Sequence, residues 1–347
     1  MRIKTVLVTG SSGFLGINLC RYLHAKGYKL KGMDVAEFDY EDMKPHVDFY
    51  RGDICKLDDV RKVMKDVDIV VHAAAALPKY TTSEIFNTDV EGTRNVLSVA
   101  EEFKVERVVF ISSTAVYGIP KTCPITENSV LSIIGPYAKA KAIAEQLCVD
   151  YRKKGMTISV LRPITFVGPE RLGVMAVYYD WIKRNKNIPI IGSGKNKFQL
   201  LDVEDFSQAI YLCMIKPKSK VNTLFNIGSK NFTTMREDFG EILNYVGSKK
   251  KIVPLPTELI LPLLRVFELL NISPLYNWMC QIASKDVYVS IDKAERVLGF
   301  KPKYSSKQAL VRNYQWYVDN LNSFKSQGVS HRVPWNQGIL KIVSWLF

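Results

Sequence analysis

The chain has 347 residues, 47% of them hydrophobic and 24% charged, enough to bury one large core with or without a second lobe and too apolar for a disordered tail. Its 48 Lys and Arg against 34 Asp and Glu give a formal net charge of +14, which calls for an anionic partner; no RNA- or DNA-binding motif accompanies it, so an acidic membrane surface or an anionic substrate comes before nucleic acid. Six cysteines without a Cys-x-x-Cys pair, and four histidines, offer no zinc-like spacing, so no metal is expected and the thiols read as reduced, as in a cytosolic protein.

The first element is a strand at "TVLVTG" that breaks into Gly10, Gly13 and Gly16 and passes into the apolar periodicity of Phe14, Leu15, Leu19, Tyr22 and Leu23, a helix near 14–26. Strand-like runs follow at "YKLKGMDV", "VDFYRGD", "VDIVVHAAA", "RVVFISS" and "TISVLRP", with helices near 56–65, 83–103 and 136–154. Alternation of this kind predicts an α/β fold, a doubly wound parallel sheet of the Rossmann-like type, with ligands at the carboxyl ends of the strands. After Pro163 the pattern loses its regularity, punctuated at "GPERLG", "IPIIGSGKN" and "IKPKSK". A smaller substrate-binding lobe threaded back against the core is expected there. The implied boundaries are 1–165 for a dinucleotide-binding domain, 166–325 for the lobe and 326–347 for a tail.

No stretch reaches the roughly 20 apolar residues that span a bilayer, and the opening run from Val6 to Val8 is far shorter than the core of a signal peptide. A cytoplasmic protein is expected, at most peripheral on the inner face of the membrane. The tail "HRVPWNQGILKIVSWLF" spaces Trp335, Ile339, Ile342, Val343, Leu346 and Phe347 at helical intervals and carries no acid. Such a helix can lie on an anionic bilayer, or pack on its own domain or a partner subunit.

The three glycines fall where a strand feeds a helix, and there the unpaired N–H groups and the helix dipole favour an anion such as a phosphate. Asp34, 18 residues after Gly16, ends the second strand where an acid accepts from the ribose hydroxyls of an adenosine and repels a 2′-phosphate, which selects NAD over NADP. Asp53 ends the third run, within reach of an adenine edge.

Tyr137 and Lys141 in "YAKAK" are four apart on a predicted helix and share a face. An ammonium beside a phenol stabilises phenolate and moves it toward use near neutrality, so Tyr137 qualifies as a general acid/base. Upstream, Ser112, Ser113 and Thr114 follow a strand in "FISSTAVYG", and one of these hydroxyls could hydrogen-bond a reacting oxygen. Either Tyr137 or Lys141 alone would read as an ordinary surface residue.

Taken together, "TGSSGFLG", Asp34, "RGDI", "HAAA", "NTDVEGTRNVL", "SSTAVYG", "YAKAK" and "LRPITFVGP" stand in the order of the extended short-chain dehydrogenase/reductases, and over roughly residues 1–320 the chain resembles their NAD-dependent sugar epimerase/dehydratase group. The resemblance implies a catalytic trio of Ser113, Tyr137 and Lys141, with Lys141 also holding the nicotinamide ribose. It implies NAD bound by Gly10, Gly13, Phe14, Leu15, Gly16, Asp34, Asp53, Ile54, Ala73, Ala74, Asn95 and Pro163, together with Tyr137 and Lys141. Substrate would meet Ser113, Thr114, Thr165 and Arg171, the last a candidate for its anionic part. A homodimer through the helices near 83–103 and 136–154 is also implied.

Several positions depart from that pattern. Dehydratases of the group carry Asp-Glu after the catalytic hydroxyl residue, where this chain has Thr114 and Ala115, so elimination of water lacks its acid and base. Thr165 replaces the Asn of "RPxN", and Phe198 lies in the segment before "VED" where a diphosphate-gripping Arg is usual, leaving Lys195, Lys197 or Lys285 as sources of charge. The region around "PLPTELILPLLRVFELLNISPLYNW" looks like that of epimerases acting on polyprenyl-diphosphate sugars and of 3β-hydroxysteroid dehydrogenases. The expected function is an NAD-dependent sugar 4-epimerase on a nucleotide sugar or a lipid-linked diphosphate sugar. The alternatives are a 3β-hydroxysteroid-type or other lipophilic secondary-alcohol dehydrogenase, and a non-catalytic NAD-binding protein.

Overall fold

The near-continuous apolar runs of β1 (Thr5–Thr9), β4 (Ile69–His72), β5 (Arg107–Ile111) and β6 (Ile158–Pro163) have no side to offer to water. Strands of that composition belong at the centre of a parallel sheet covered on both faces. The computed structural model, which describes residues 3–78, 80–269 and 282–324, places them there. With β2 (Lys29–Asp34), β3 (Val47–Arg51) and β10 (Leu224–Ile227) at the edges, seven strands run parallel in the order β10-β6-β5-β4-β1-β2-β3.

All six expected strands are present, and β10 is an addition. The expected helices appear as α1 (Phe14–Ala25), α2 (Leu57–Met64) and α5 (Gly135–Lys153). The one expected near 83–103 is interrupted: α3 (Thr82–Phe86) passes through a π-helical turn, Asn87–Gly92, into α4 (Thr93–Glu102). Helices α2, α4 and α5 cover one face of the sheet, burying Met64, Val96, Leu97, Ala144 and Cys148 against Leu7, Val70 and Phe110. On the other face α1 packs with α7 (Val203–Ile215), bringing Ile17, Leu19, Phe206 and Ile210 onto Val6, Val8, Val71 and Val109.

Beyond Pro163 the chain alternates between two tasks. The short pair β7 (Phe166–Val167) and β9 (Leu201–Asp202), α7, α8 (Lys218–Val221), β10 and α11 (Asp292–Leu298) extend the core. The lobe is built from α6 (Val174–Lys183), a second parallel pair β8 (Ile188–Ile191) and β11 (Ile252–Leu255), α9 (Met235–Tyr245), α10 (Thr257–Leu269) and α12 (Ser306–Asp319). Its own apolar centre holds Tyr179, Trp181, Ile188, Leu200, Ile242 and Leu310. The tail at 326–347 lies outside the described residues, as does Cys280. Cys20, Cys55, Cys123, Cys148 and Cys213 are free thiols. Among the described residues no helix is long and apolar enough to cross a membrane, and no group of three or more His, Cys, Asp or Glu could hold a metal.

One buried ionic cluster ties α5 to the sheet beneath the site. The Arg162 guanidinium donates from Nε to Glu145 Oε1 at 2.8 Å, pairs with Glu145 Oε2, and reaches the Tyr117 hydroxyl at 2.8 Å; Ser112 donates to Glu145, and Tyr117 to Asn226 Oδ1 at 2.8 Å. A buried pair of this sort is indifferent to replacement as a whole and intolerant of losing one member. Glu145→Leu should therefore cost about 3–5 kcal/mol in denaturant unfolding, and adding Arg162→Met should recover much of that loss.

Candidate active site

The close approach of β1 to α1 is the starting point. Gly10 has a φ of +75°, and a Cβ there would stand 2.8 Å from the Ala74 nitrogen; a Cβ on Gly16 would stand 2.1 Å from the Gly10 carbonyl oxygen. Only glycine lets the turn fold this tightly. Gly13 caps α1 without a side chain, so the first-turn N–H groups face the cleft with no internal partner. At the end of β2 the Asp34 carboxylate is aimed by the Ser12 and Ala36 N–H groups, at 3.0 and 2.9 Å. A cradle that any side chain would fill, uncapped N–H groups and an acid at the next strand end fit the pyrophosphate and ribose of NAD.

From this turn a cleft of about 1390 Å³ runs along the carboxyl ends of the strands into the lobe. Phe14, Leu15, Asp53, Ile54, Ala73, Ala74, Pro163, Ser113, Thr114, Thr165, Tyr137, Lys141 and Arg171 all line it. Asp53 also accepts from the Cys55 N–H at 2.9 Å, capping the turn before α2. Asn95 stands behind the lining, its amide donating to the Ile54 carbonyl at 3.0 Å. Of the neighbouring hydroxyls, Ser112 is turned into the Glu145 cluster and Thr114 donates to the Pro163 carbonyl at 3.1 Å. That leaves Ser113, whose hydroxyl oxygen accepts from the Ala115 N–H at 3.1 Å and which acts on the Tyr137 phenol to hold its pKa down. Lys195, Lys197 and Lys285 do not line the cleft.

Tyr137 and Lys141 sit one turn apart on α5, as their spacing requires, with the ammonium 5.7 Å from the Tyr137 ring centroid and 5.4 Å from that of Phe110. Lys141 is 2% exposed and donates to Asp89 Oδ1 at 3.3 Å and to the Ile111 carbonyl at 3.4 Å. Burial works against the ammonium, but Asp89 and Tyr137 outweigh it, and its pKa stands above the ordinary lysine value. The phenol departs from the sequence expectation. Burial raises its pKa above the ordinary tyrosine value, and Asp89 adds to the rise, so that together they exceed the lowering by Lys141 and the Ser113 hydrogen bond.

A buried hydrogen-bonded chain links this pair to the nucleotide turn. The Thr93 hydroxyl donates to the Asp89 carbonyl at 2.7 Å, so it must accept from His72 Nε2, 3.0 Å away. His72 Nδ1 then accepts from the Thr9 hydroxyl at 2.7 Å, and Thr9 in turn accepts from the Ala74 N–H at 3.3 Å. With His72 neutral every polar group of the chain is paired, and burial, aided by the Lys141 charge, holds its pKa down to about 3. Neither His72 nor Asp89 stood out in sequence, since one sits in an apolar strand and the other in a helical stretch. The visible signal was polarity where the periodicity demands burial.

Arg171 approaches from the lobe. Its guanidinium lies 5.4 Å from the Phe14 ring centroid and 6.0 Å from that of Phe166, and its buried Nε has no hydrogen-bond partner. Burial lowers its pKa to about 10. The segment before it is strapped to α1: Asn18 donates to the Pro169 carbonyl at 2.9 Å, and Arg21 pairs with Glu170 at 2.9 Å. Further into the lobe the lining is Val174, Met175, Tyr178, Ile190, Phe239 and Trp316, with no charged group among them.

Comparison with known proteins agrees with this geometry. The model of the NAD dependent epimerase/dehydratase family matches residues 6–228. An uncharacterized protein of Sinorhizobium fredii is 31% identical, covering 99% of this chain and 86% of its own length. A putative UDP-glucose 4-epimerase of Methanocaldococcus jannaschii is 27% identical over 91% of this chain and 99% of its own. Among solved structures, dTDP-glucose 4,6-dehydratase of Bacillus anthracis in complex with NAD superposes with a TM-score of 0.75 at 25% identity, covering 92% of this chain and 98% of that one.

Two outcomes follow from the site. Asp34→Asn should weaken NAD binding at least about tenfold and narrow its preference over NADP, read by isothermal titration with both dinucleotides. His72 is neutral when folded and titrates near its ordinary value of about 6.5 when unfolded, so the unfolded chain binds the extra proton and stability falls as pH drops from about 6.5 toward 3. Denaturant unfolding should lose about 1.4 kcal/mol per pH unit from this group, and His72→Gln should remove that share of the slope.

Proposed function

The chain belongs to the NAD dependent epimerase/dehydratase family, and from that premise we propose that this NAD-dependent enzyme inverts a secondary hydroxyl, that of C4, on a diphosphate sugar. The observation that carries the reading is the cluster of Tyr137, Lys141 and Ser113 where the nucleotide half of the cleft opens into the lobe. When bound, NAD supplies reversible two-electron acceptance at the carbinol carbon. As phenolate, Tyr137 takes the hydroxyl proton in one half-reaction, and as the resulting phenol it returns that proton in the other, while Ser113 donates to the oxygen as it gains carbonyl character. Lys141 holds the phenol in place with a fixed positive charge. The uncharged wall of the lobe offers the ketone few anchors, which leaves it free to present its other face.

Two features favour epimerisation within the family. Thr114 and Ala115 provide no carboxylate for eliminating water, and the adjacent Asp89 is fully buried. The strap from Pro169 to Arg171 across α1 favours a cofactor that stays through the cycle over one exchanged at every turnover. Gly10, Gly13, Phe14, Leu15, Gly16, Asp34, Asp53, Ile54, Ala73, Ala74 and Pro163 are assigned to NAD, and Asn95 supports Ile54 from behind. Thr165 and Arg171 are assigned to substrate, with Arg171 on its anionic part.

A nucleotide sugar is the default substrate. The apolar wall favours its lipid-linked counterpart, and it equally supports the second reading, oxidation of a lipophilic secondary alcohol. The expected assembly is a homodimer through α4 and α5, where Phe103 and Val149 are exposed.

Incubation of the purified protein with a panel of nucleotide- and lipid-linked diphosphate sugars should yield the 4-epimer by proton NMR, without solvent deuterium at the inverted carbon. Tyr137→Phe should slow this by about 10²–10⁴-fold. Steady NADH production from a sterol, with no epimer from any sugar, would establish the dehydrogenase in its place.

A further inference from the structure

Among the described residues, the Lys141 ammonium is the cation that bears on the Tyr137 phenol, and it is not alone. Asp89 lies in the π-helical turn between α3 and α4, completely buried, with one carboxylate oxygen 3.3 Å from Lys141 Nζ and 3.2 Å from the Ala76 nitrogen. Its other oxygen has no partner among the described residues. Burial raises the pKa of Asp89, and among the described residues Lys141 and the Ala76 N–H are the groups that favour its charged form; a π-helical turn is a recurrent way of pushing one side chain out of helical register at a working site.

We infer that Asp89 is a positioning residue whose carboxylate fixes Lys141 and, as an opposing charge, keeps Tyr137 protonated to higher pH than Lys141 alone would allow. The inference rests on Tyr137 as the acid/base proposed above. The groups facing the pair are few. Tyr137 meets Lys141 from its own helix, Asp89 from the π-turn and Ser113 from the end of β5. Lys141 feels Asp89, Tyr137 and Glu145, and bears on His72 in β4. Glu145 is committed to Arg162 and Ser112, and His72 is neutral. That leaves Asp89 as the one anion free to balance Lys141. A pair of opposite charges presents the phenol with a weak dipole instead of a full positive charge, so phenolate forms less readily.

The test needs no substrate. In protein saturated with NAD, phenolate absorbance at 295 nm is followed from pH 7 to 10.5, and the trace of Tyr137→Phe is subtracted to isolate one residue among 17 tyrosines. In wild type Tyr137 should ionise above the ordinary tyrosine range. Asp89→Asn, close to isosteric, should bring the ionisation down by at least about one pH unit, a tenfold loss of proton affinity. Asp89→Ser serves as a second variant, with circular dichroism confirming that each is folded.

Folded variants whose Tyr137 titrates with wild type, or higher, would overturn the inference. So would failure of both variants to fold, which would assign Asp89 to stability alone. A downward shift alongside no epimer from any diphosphate sugar would overturn the functional reading and leave the role of Asp89 standing.

Discussion

The molecule depends on how closely its chain can pass itself between β1 and α1. The Gly10 carbonyl sits where a Gly16 side chain would be, and Ala74, two residues past the end of β4, closes the space above Gly10. That contact draws the start of α1, the end of β1 and the end of β4 together, so the helix N-terminus, the Asp34 carboxylate and the mouth of the cleft share one rim. A larger residue would separate them, and the rest of the sheet could be intact without recreating the site.

The charges inside the molecule follow a common rule: each is set against a specific partner or left aimed at the cleft. Arg162 and Glu145 satisfy each other beneath the sheet, and Lys141 and Asp89 do so beside the phenol. Arg171, with its Nε unsatisfied, reaches the cleft without an anion. Desolvation makes a lone buried charge expensive, so each of these groups depends on what stands opposite it. The neutral His72 belongs with the pairs: it carries a direction of hydrogen bonding from Thr9 to Thr93, and so joins the nucleotide turn to the Lys141 environment without adding charge.

Much of this was legible in the sequence. The six strands from β1 to β6 announced themselves as apolar runs, and the glycine spacing, Asp34, Tyr137 and Lys141 could be placed because each depends on local geometry. What escaped notice depends on contacts far apart in the chain. β10 is four residues long and joins the sheet only after α6, β8 and α7 have been built, so no local alternation leads up to it. Asp89 lies within the motif "NTDVEGTRNVL", but its pairing with Lys141, 52 residues further on, comes from the packing of the π-turn against α5. Residue type alone left Ser112 and Ser113 open and only the family resemblance singled out Ser113; in the structure Glu145, 33 residues further on, claims Ser112. Lys195, Lys197 and Lys285 offered charge in the right segments, and the fold leaves them off the cleft.

The threading of the second half has a mechanical consequence. The chain leaves the core after β6, returns for β9, α7 and β10, leaves again for α9, β11 and α10, returns for α11 and ends in the lobe with α12. Parts joined by several separate crossings cannot swing about a single linker, because every crossing would have to bend at once. Any movement of the lobe relative to the core would engage all of these crossings together. The lobe cannot be exchanged as a cassette either: a new specificity has to be written side chain by side chain onto a wall whose backbone is already committed to the core.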